Sequence, residues 1–165
     1  MRFPLLPDLI VTKLPDLSPD ELRNRGIRLL MLDFDNTIVP YTTNIPDEEM
    51  DRWLRNMLRS EIVLCVVSNS RNNRVPDFCR EHGIPCVVRA KKPGTKGIRQ
   101  ALAQFEIRPK EAALAGDQIF TEVLGGNSAG VMTILVKAID NHNVWLKLRH
   151  VAELPFIYAA RRKKR

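Results

Sequence analysis

Five short apolar runs recur along the chain: "RLLMLDFD" (28–35), "EIVLCVVSN" (61–69), "IPCVVR" (84–89), "EAALAGD" (111–117) and "VMTILV" (131–136). Each is continuously apolar and rich in Val, Ile, Leu or Ala, with no polar alternation. Strands buried on both faces read this way, and a sheet covered on both faces is a parallel one. Parallel neighbours need crossovers, and the intervals hold helical patterns. Met50, Trp53, Leu54, Met57 and Leu58 follow 3.6-residue spacing within 46–59, where Pro46 and three acids fit a first turn. Val75, Phe78 and Cys79 share a face within 73–82, and Gly83 is placed as a C-cap. Ile98, Ala101, Leu102 and Phe105 do the same in 96–105, after Thr95 as N-cap; a shorter helix is expected over 119–128. The alternation predicts a Rossmann-like, doubly wound α/β fold: about five parallel strands flanked by helices with right-handed crossovers.

The 165 residues fit one domain, divided into an irregular, proline-rich N-terminal strap (1–27), a core (28–140) and a basic C-terminal helix and tail (141–165), in which Val144, Trp145, Leu148, Val151 and Ala152 make an apolar stripe that Pro155 interrupts before the final "RRKKR". A content of 44% apolar and 27% charged residues is that of a globular protein, and no run reaches the roughly 18 apolar residues of a membrane span. Pro4, Pro7 and Pro15 break the start of the chain, so no signal peptide is expected. Cys65, Cys79 and Cys86 form no C-x-x-C pair; they read as buried reduced thiols in a reducing cytosol.

In an open parallel sheet, ligands bind at the carboxyl ends of the strands. Those ends are unusually polar here. The first carries Asp33-Phe34-Asp35-Asn36-Thr37, the second Ser68-Asn69-Ser70, and the fourth Gly116-Asp117-Gln118; Lys91-Lys92-Pro93-Gly94 follows the third. Asp33 and Asp117 on adjacent strands, with the Asp35 carbonyl, make a hard-oxygen set suited to Mg²⁺. A carboxylate so held can attack phosphorus. A second carboxyl can move the protons. A lysine and a hydroxyl can bind the transferring phosphoryl oxygens.

These residues also carry a resemblance. "MLDFDNTIVPY" resembles the D-x-D-x-T signature of the haloacid-dehalogenase (HAD) superfamily of phosphatases; "VVSNS", "KKPG" and "AGDQIFTEVLGGN" resemble its second, third and fourth motifs. The fourth motif, with the Arg-Val of "RNNRV", is most similar to the YqeG-type (class IIIA) subgroup, which resembles the phosphatidylglycerophosphate phosphatases of mitochondria and plastids. The resemblance implies Asp33 as nucleophile and metal ligand, and Asp35 as general acid/base with its carbonyl on Mg²⁺. Thr37 stabilises the loop. Ser68 and Asn69 bind the phosphoryl group, Lys92 neutralises charge, and Asp117 completes the metal site. The second acid of the fourth motif is usually Asp; here it is Glu122, and its role stays open between metal contact, contact through water, and none.

Thirty residues separate Thr37 from Ser68, and about twenty-three separate Ser68 from Lys92. Each interval has room for one helix and no cap domain, so the site is expected to admit a phosphate carried on something large. The net charge of +7 is concentrated. Residues 71–99 hold eight Lys/Arg against two acids, and residues 147–165 hold seven against Glu153 alone. The expected reading is a cytoplasmic, Mg²⁺-dependent phosphomonoesterase acting on phosphatidylglycerophosphate, whose basic C-terminus meets the inner face of a membrane. The alternatives are a nucleic-acid or protein phosphate as substrate, or a binding module with a tail for RNA or an assembly partner.

Overall fold

The computed structural model describes residues 4–140 and the backbone of 144–162, with side chains again from 151 to 161. The expected stripe around Trp145 and the end of the "RRKKR" tail lie outside the described side chains.

The apolar run after Arg28 forms β2 (Leu29–Leu32), buried along its whole length. It pairs in parallel with β3 (Val63–Val67) and β5 (Ala112–Gly116). Outside these lie the two-residue β4 (Cys86–Val87), β6 (Met132–Val136) and β1 (Leu9–Val11). The parallel sheet has the order β1-β6-β5-β2-β3-β4.

Strand alternation divides the core. Leu30 and Leu32 pack with α1 (Pro19–Asn24), α2 (Glu48–Leu58) and α3 (Arg74–His82) through Leu22, Trp53, Leu54, Val75 and Phe78. Leu29 and Met31 face the other way, onto Ile98, Ala101 and Leu102 of α4 (Lys96–Gln104) and Ala129 of α5 (Leu124–Ala129). The long α6 (Val144–Arg162) follows β6.

The helices start and stop near where the sequence places them. Asp47 caps α2 by accepting from the Met50 N–H at 2.8 Å, and Gly83 ends α3 at φ 66°. Thr95 occupies the N-cap of α4 without capping it; its hydroxyl accepts instead from Arg99.

Three expectations need correction. The sheet has six strands, because the N-terminal strap supplies β1 along the open edge of β6. The strap is not irregular throughout. Ser18 accepts from the Glu21 N–H at 3.0 Å to start α1, Leu14, Leu17 and Leu22 are fully buried, and the Trp53 indole donates to the Leu17 carbonyl at 2.7 Å. Finally, Pro155 does not interrupt α6: it lies inside the helix on an exposed position, where a missing N–H costs least.

Candidate active site

β2 ends at Leu32, but the Asp33 N–H still donates to the Ala115 carbonyl at 2.9 Å, so Asp33 is held at the edge of the ladder beside the end of β5. The chain then turns. Asn36 adopts φ 63°, its N–H donates to the Val39 carbonyl at 2.7 Å, and the Ile38 N–H donates to Phe34 at 3.0 Å. Asparagine is among the few side chains that tolerate this conformation. Its carboxamide also joins the turn to the segment after β6: Nδ2 donates to the Asp140 carbonyl at 2.6 Å and Oδ1 accepts from the Asp140 N–H at 2.8 Å. The Thr37 hydroxyl is buried with no hydrogen bond among the described residues. Asn36 and the main chain therefore close this loop, where the threonine hydroxyl was expected to act.

The turn separates the two aspartates. Asp33 is buried and accepts from the Lys92 ammonium at 2.8 Å. Asp35 is partly exposed and forms an ion pair with Arg74 at the start of α3. Arg74 is a residue that the sequence reading left without a role. Its guanidinium also donates to the Pro40 carbonyl at 2.6 Å, to the Thr43 carbonyl and to the Asn44 side chain, and it lies 5.0 Å over the Phe34 ring. Four of its five N–H donors thus fasten Asp35 and the loop 40–44 together.

Lys92 is almost wholly buried. Its ammonium lies 2.8 Å from Asp33, 2.9 Å from Glu122 and 2.6 Å from the Val67 carbonyl. The Asn69 carboxamide sets the lysine's main chain: Nδ2 donates to the Lys92 carbonyl at 2.9 Å, and Oδ1 accepts from its N–H at 2.7 Å. Asn69, expected among the phosphate-binding groups, therefore has one N–H left to offer. Ser68 is buried at the end of β3, and its Oγ accepts from the Ser70 N–H at 3.0 Å, which leaves its own proton to donate.

Glu122 reaches the site by an unexpected local structure. Residues Ile119–Val123 form a single π turn before α5, where one helix over 119–128 was expected. The Glu122 carboxylate is buried and accepts from the Gln118 N–H at 3.1 Å and the Thr121 hydroxyl at 2.7 Å. Gly116 makes room for it: a Cβ there would stand 2.3 Å from Glu122 Cγ. Carboxylate oxygens of Asp33, Asp117 and Glu122, all buried, lie within 4.8 Å of one another. So the residue whose role stayed open in the sequence shares the acidic cluster with two of the expected ligands.

The electrostatics follow from burial. Asp33 is pushed up to about 6 by loss of water, which outweighs the lowering by Lys92; Glu122 and Asp35 add to the rise. Burial pulls Lys92 down, but Asp33 and Glu122 more than offset it and hold the ammonium above its ordinary range. Three buried carboxylates gather here, two of them on the one buried ammonium, a net charge of −2 when all are ionised. Uncompensated buried charge is costly, and a divalent cation among hard oxygens would balance it. The donor set therefore fits a metal of the Mg²⁺ type and lacks the Cys/His ligands of a zinc site.

Comparison with known proteins agrees with this geometry. A family model described as mitochondrial PGP phosphatase matches residues 2–139. The chain is 30% identical over 159 residues to "Probable phosphatase YqeG" of Bacillus subtilis, covering 96% of this chain and 92% of that protein. It is 28% identical over 156 residues to the mitochondrial phosphatidylglycerophosphatase GEP4 of Saccharomyces cerevisiae, covering 86% and 77%. Among solved structures, a HAD-superfamily hydrolase of subfamily IA from Geobacter sulfurreducens superposes with a TM-score of 0.52 at 14% identity, over 70% of this chain and 90% of that one, a likeness of fold. With motifs, fold and family model in agreement, the chain belongs to the mitochondrial PGP phosphatase family and is a phosphatase of the HAD type.

Proposed function

We propose that the chain is a Mg²⁺-dependent phosphomonoesterase that removes the terminal phosphate of phosphatidylglycerophosphate. The observation that carries the chemistry is the buried cluster of Asp33, Asp117 and Glu122 at the converging strand ends, with Asp33 and Glu122 paired to Lys92. The family match and the relative in yeast support the lipid substrate. So do the short intervals between the motifs, each filled by one crossover helix with no lid to enclose a small metabolite.

Asp33, Asp117, Glu122 and the Asp35 carbonyl would hold the ion, which when bound supplies Lewis-acid polarisation of the phosphoryl group. Asp33 attacks phosphorus, forming the aspartyl-phosphate as the bond to the glycerol oxygen breaks. Asp35 gives that oxygen its proton, then takes one from the water that hydrolyses the intermediate, returning Asp33 and releasing phosphate. The Ser68 hydroxyl donates to a phosphoryl oxygen. Lys92, steadied by Asn69, offsets the charge that gathers between nucleophile and phosphate. The basic C-terminus would meet an anionic membrane on its cytoplasmic face; no helix among the described residues is long and apolar enough to cross one.

The test is phosphate release from phosphatidylglycerophosphate in mixed micelles, beside a soluble ester, a phosphopeptide and a 5′-phosphorylated oligonucleotide. We expect release from the lipid, lost by more than about 10³-fold in Asp33→Asn. Turnover of the peptide or oligonucleotide with none of the lipid would replace the substrate. An unimpaired Asp33→Asn variant would remove the mechanism.

A further inference from the structure

Helix α6 has two apolar faces. Toward the fold it buries Glu153 and Ala160 and half-buries Phe156 and Ile157, positions spaced i, i+3, i+4 and i+7. This inner face is well anchored. The Glu153 carboxylate accepts from the Ile119 N–H at 2.9 Å, Phe156 meets Phe120 edge-on at 6.1 Å, and Phe156 and Ile157 pack with Ile119, Val123 and Leu135. The outer face carries Val151, Leu154 and Tyr158, spaced i, i+3 and i+7 and 61%, 46% and 65% exposed.

Among the described residues, four of the five other large exposed apolar side chains fall at one end of the molecule. Tyr41 and Ile45 lie on the loop leaving β2, Phe120 on the turn leaving β5, and Ile139 on the segment leaving β6. All follow the carboxyl ends of strands, where the candidate catalytic groups lie. Ile139 is tied to the first motif, its N–H donating to the Asn36 carbonyl at 3.1 Å. Leu58, ending α2, is the one such residue elsewhere among those described. Scattered surface apolar residues are ordinary, whereas an apolar rim confined to the end that holds a polar site marks a contact surface.

Charge identifies what covers it. The segment 147–165 holds seven Lys/Arg and one acid, and that acid, Glu153, is buried on the inner face of α6. A second copy of the chain would bring two such basic segments together. An anionic bilayer complements both features, taking apolar side chains at the boundary of headgroups and acyl chains and basic ones at the phosphates.

We infer that the outer stripe of α6 and the apolar rim seat the catalytic end of the sheet on an anionic lipid bilayer. The inference rests on the lipid-substrate reading above and names the surface from which that substrate is taken. Because Glu153 bonds α6 to the turn that carries Glu122, the seat and the acidic cluster are held by one local structure.

The test is flotation of the full chain with vesicles of phosphatidylglycerol and phosphatidylcholine, and with vesicles of phosphatidylcholine alone. The variant is V151S/L154S/Y158S, changed only at exposed positions. The wild-type protein is expected to float with the anionic vesicles, and the triple variant to bind them about tenfold or more weakly. Its Tm and its turnover of p-nitrophenyl phosphate should stay unchanged. A triple variant that floats like wild type, or a wild-type chain that ignores anionic vesicles, overturns the inference. A wild-type dimer that the triple variant dissolves would assign the stripe to a second copy and overturn it equally. Vesicle binding without phosphate release from phosphatidylglycerophosphate would leave the seat standing and remove the substrate reading alone.

Discussion

Gly116→Ala is the sharpest probe of the site, because it tests the glutamate without touching any carboxylate. Gly116 closes β5 in the residue before Asp117. A Cβ there would lie 2.3 Å from Glu122 Cγ, 2.8 Å from Cδ and 3.1 Å from Cβ. Ordinary carbon contacts begin near 3.5 Å, so the glutamate side chain must give way by about 1 Å. It cannot do so freely. Its carboxylate is fixed by the Gln118 N–H, the Thr121 hydroxyl and the Lys92 ammonium. Overpacking of this kind costs about 1–3 kcal/mol of stability, which a domain of this size survives. A displacement of about 1 Å at a catalytic constellation can cost about 100-fold in rate.

The expected phenotype is therefore specific: a folded protein whose turnover of a soluble phosphate ester falls about 100-fold, with saturation shifted to higher Mg²⁺. Turnover measured across a Mg²⁺ titration, with Tm recorded on the same samples, reads both effects. Gly83→Ala is the control. Gly83 ends α3 at φ 66° with open space where a Cβ would stand, so its substitution should cost about 1 kcal/mol and leave the Mg²⁺ dependence alone. If Gly116→Ala kept wild-type turnover and Mg²⁺ saturation, Glu122 would have no part in the chemistry, and the argument from its burial would fail.

The net charge of the cluster makes further predictions. Mg²⁺ at about a hundred times its dissociation constant should stabilise by about 2.7 kcal/mol, raising Tm by about 5–10 °C over the chelated protein; no shift would refute a cation site. In the chelated protein Asp33 is raised from its ordinary 3.8 to about 6, chiefly by burial. A carboxyl raised on folding contributes stability that is complete below its unfolded value and is lost as pH climbs through the folded one. The Tm of the chelated wild type should therefore fall between pH 4 and pH 7 relative to Asp33→Asn, and Mg²⁺ should flatten the difference; a pH-independent gap without metal would contradict the burial argument. Arg74→Lys keeps the charge but replaces a planar fork reaching four acceptors with a single ammonium, so turnover should drop about tenfold with little change in Tm; full activity would show that the clasp on Asp35 and the 40–44 loop is dispensable.

Most of the sheet was legible because burial on both faces leaves a pattern that needs no partner to be read: Leu29–Leu32, Val63–Val67 and Ala112–Gly116 are continuous apolar runs. The residues at their ends were legible for the complementary reason, since Asp33, Ser68 and Asp117 are poorly suited to a buried strand. The N-terminal strand was not. Three residues at a sheet edge carry no periodicity, and proline on either side reads as loop, although Ser18-Pro19-Asp20-Glu21 did hold a helix-start signature. Arg74 was hidden differently. It sits in a basic stretch beside Arg71, and residue type alone cannot distinguish them; only the path of the loop through Pro40 and Thr43 brings acceptors to one guanidinium.

Glu122 shows how a departure from a motif can be compensated within it. A glutamate where the superfamily usually has aspartate looks too long for a shared metal site. In the folded chain the extra methylene is absorbed by two neighbouring features. The π turn re-spaces Ile119–Val123, with the Val123 N–H donating back to the Gln118 carbonyl at 3.3 Å, and so changes the angle at which the side chain leaves the backbone. Gly116 removes the Cβ that would obstruct its stem. Neither feature has a reason visible in isolation: a glycine ending a strand is unremarked, and a π turn has no sequence signature. Together they bring a carboxylate to within 2.9 Å of Lys92. The two are thus expected to be coupled: a shorter acid at position 122 would lose its reach to Lys92, and a larger residue at 116 would close the space the longer one needs.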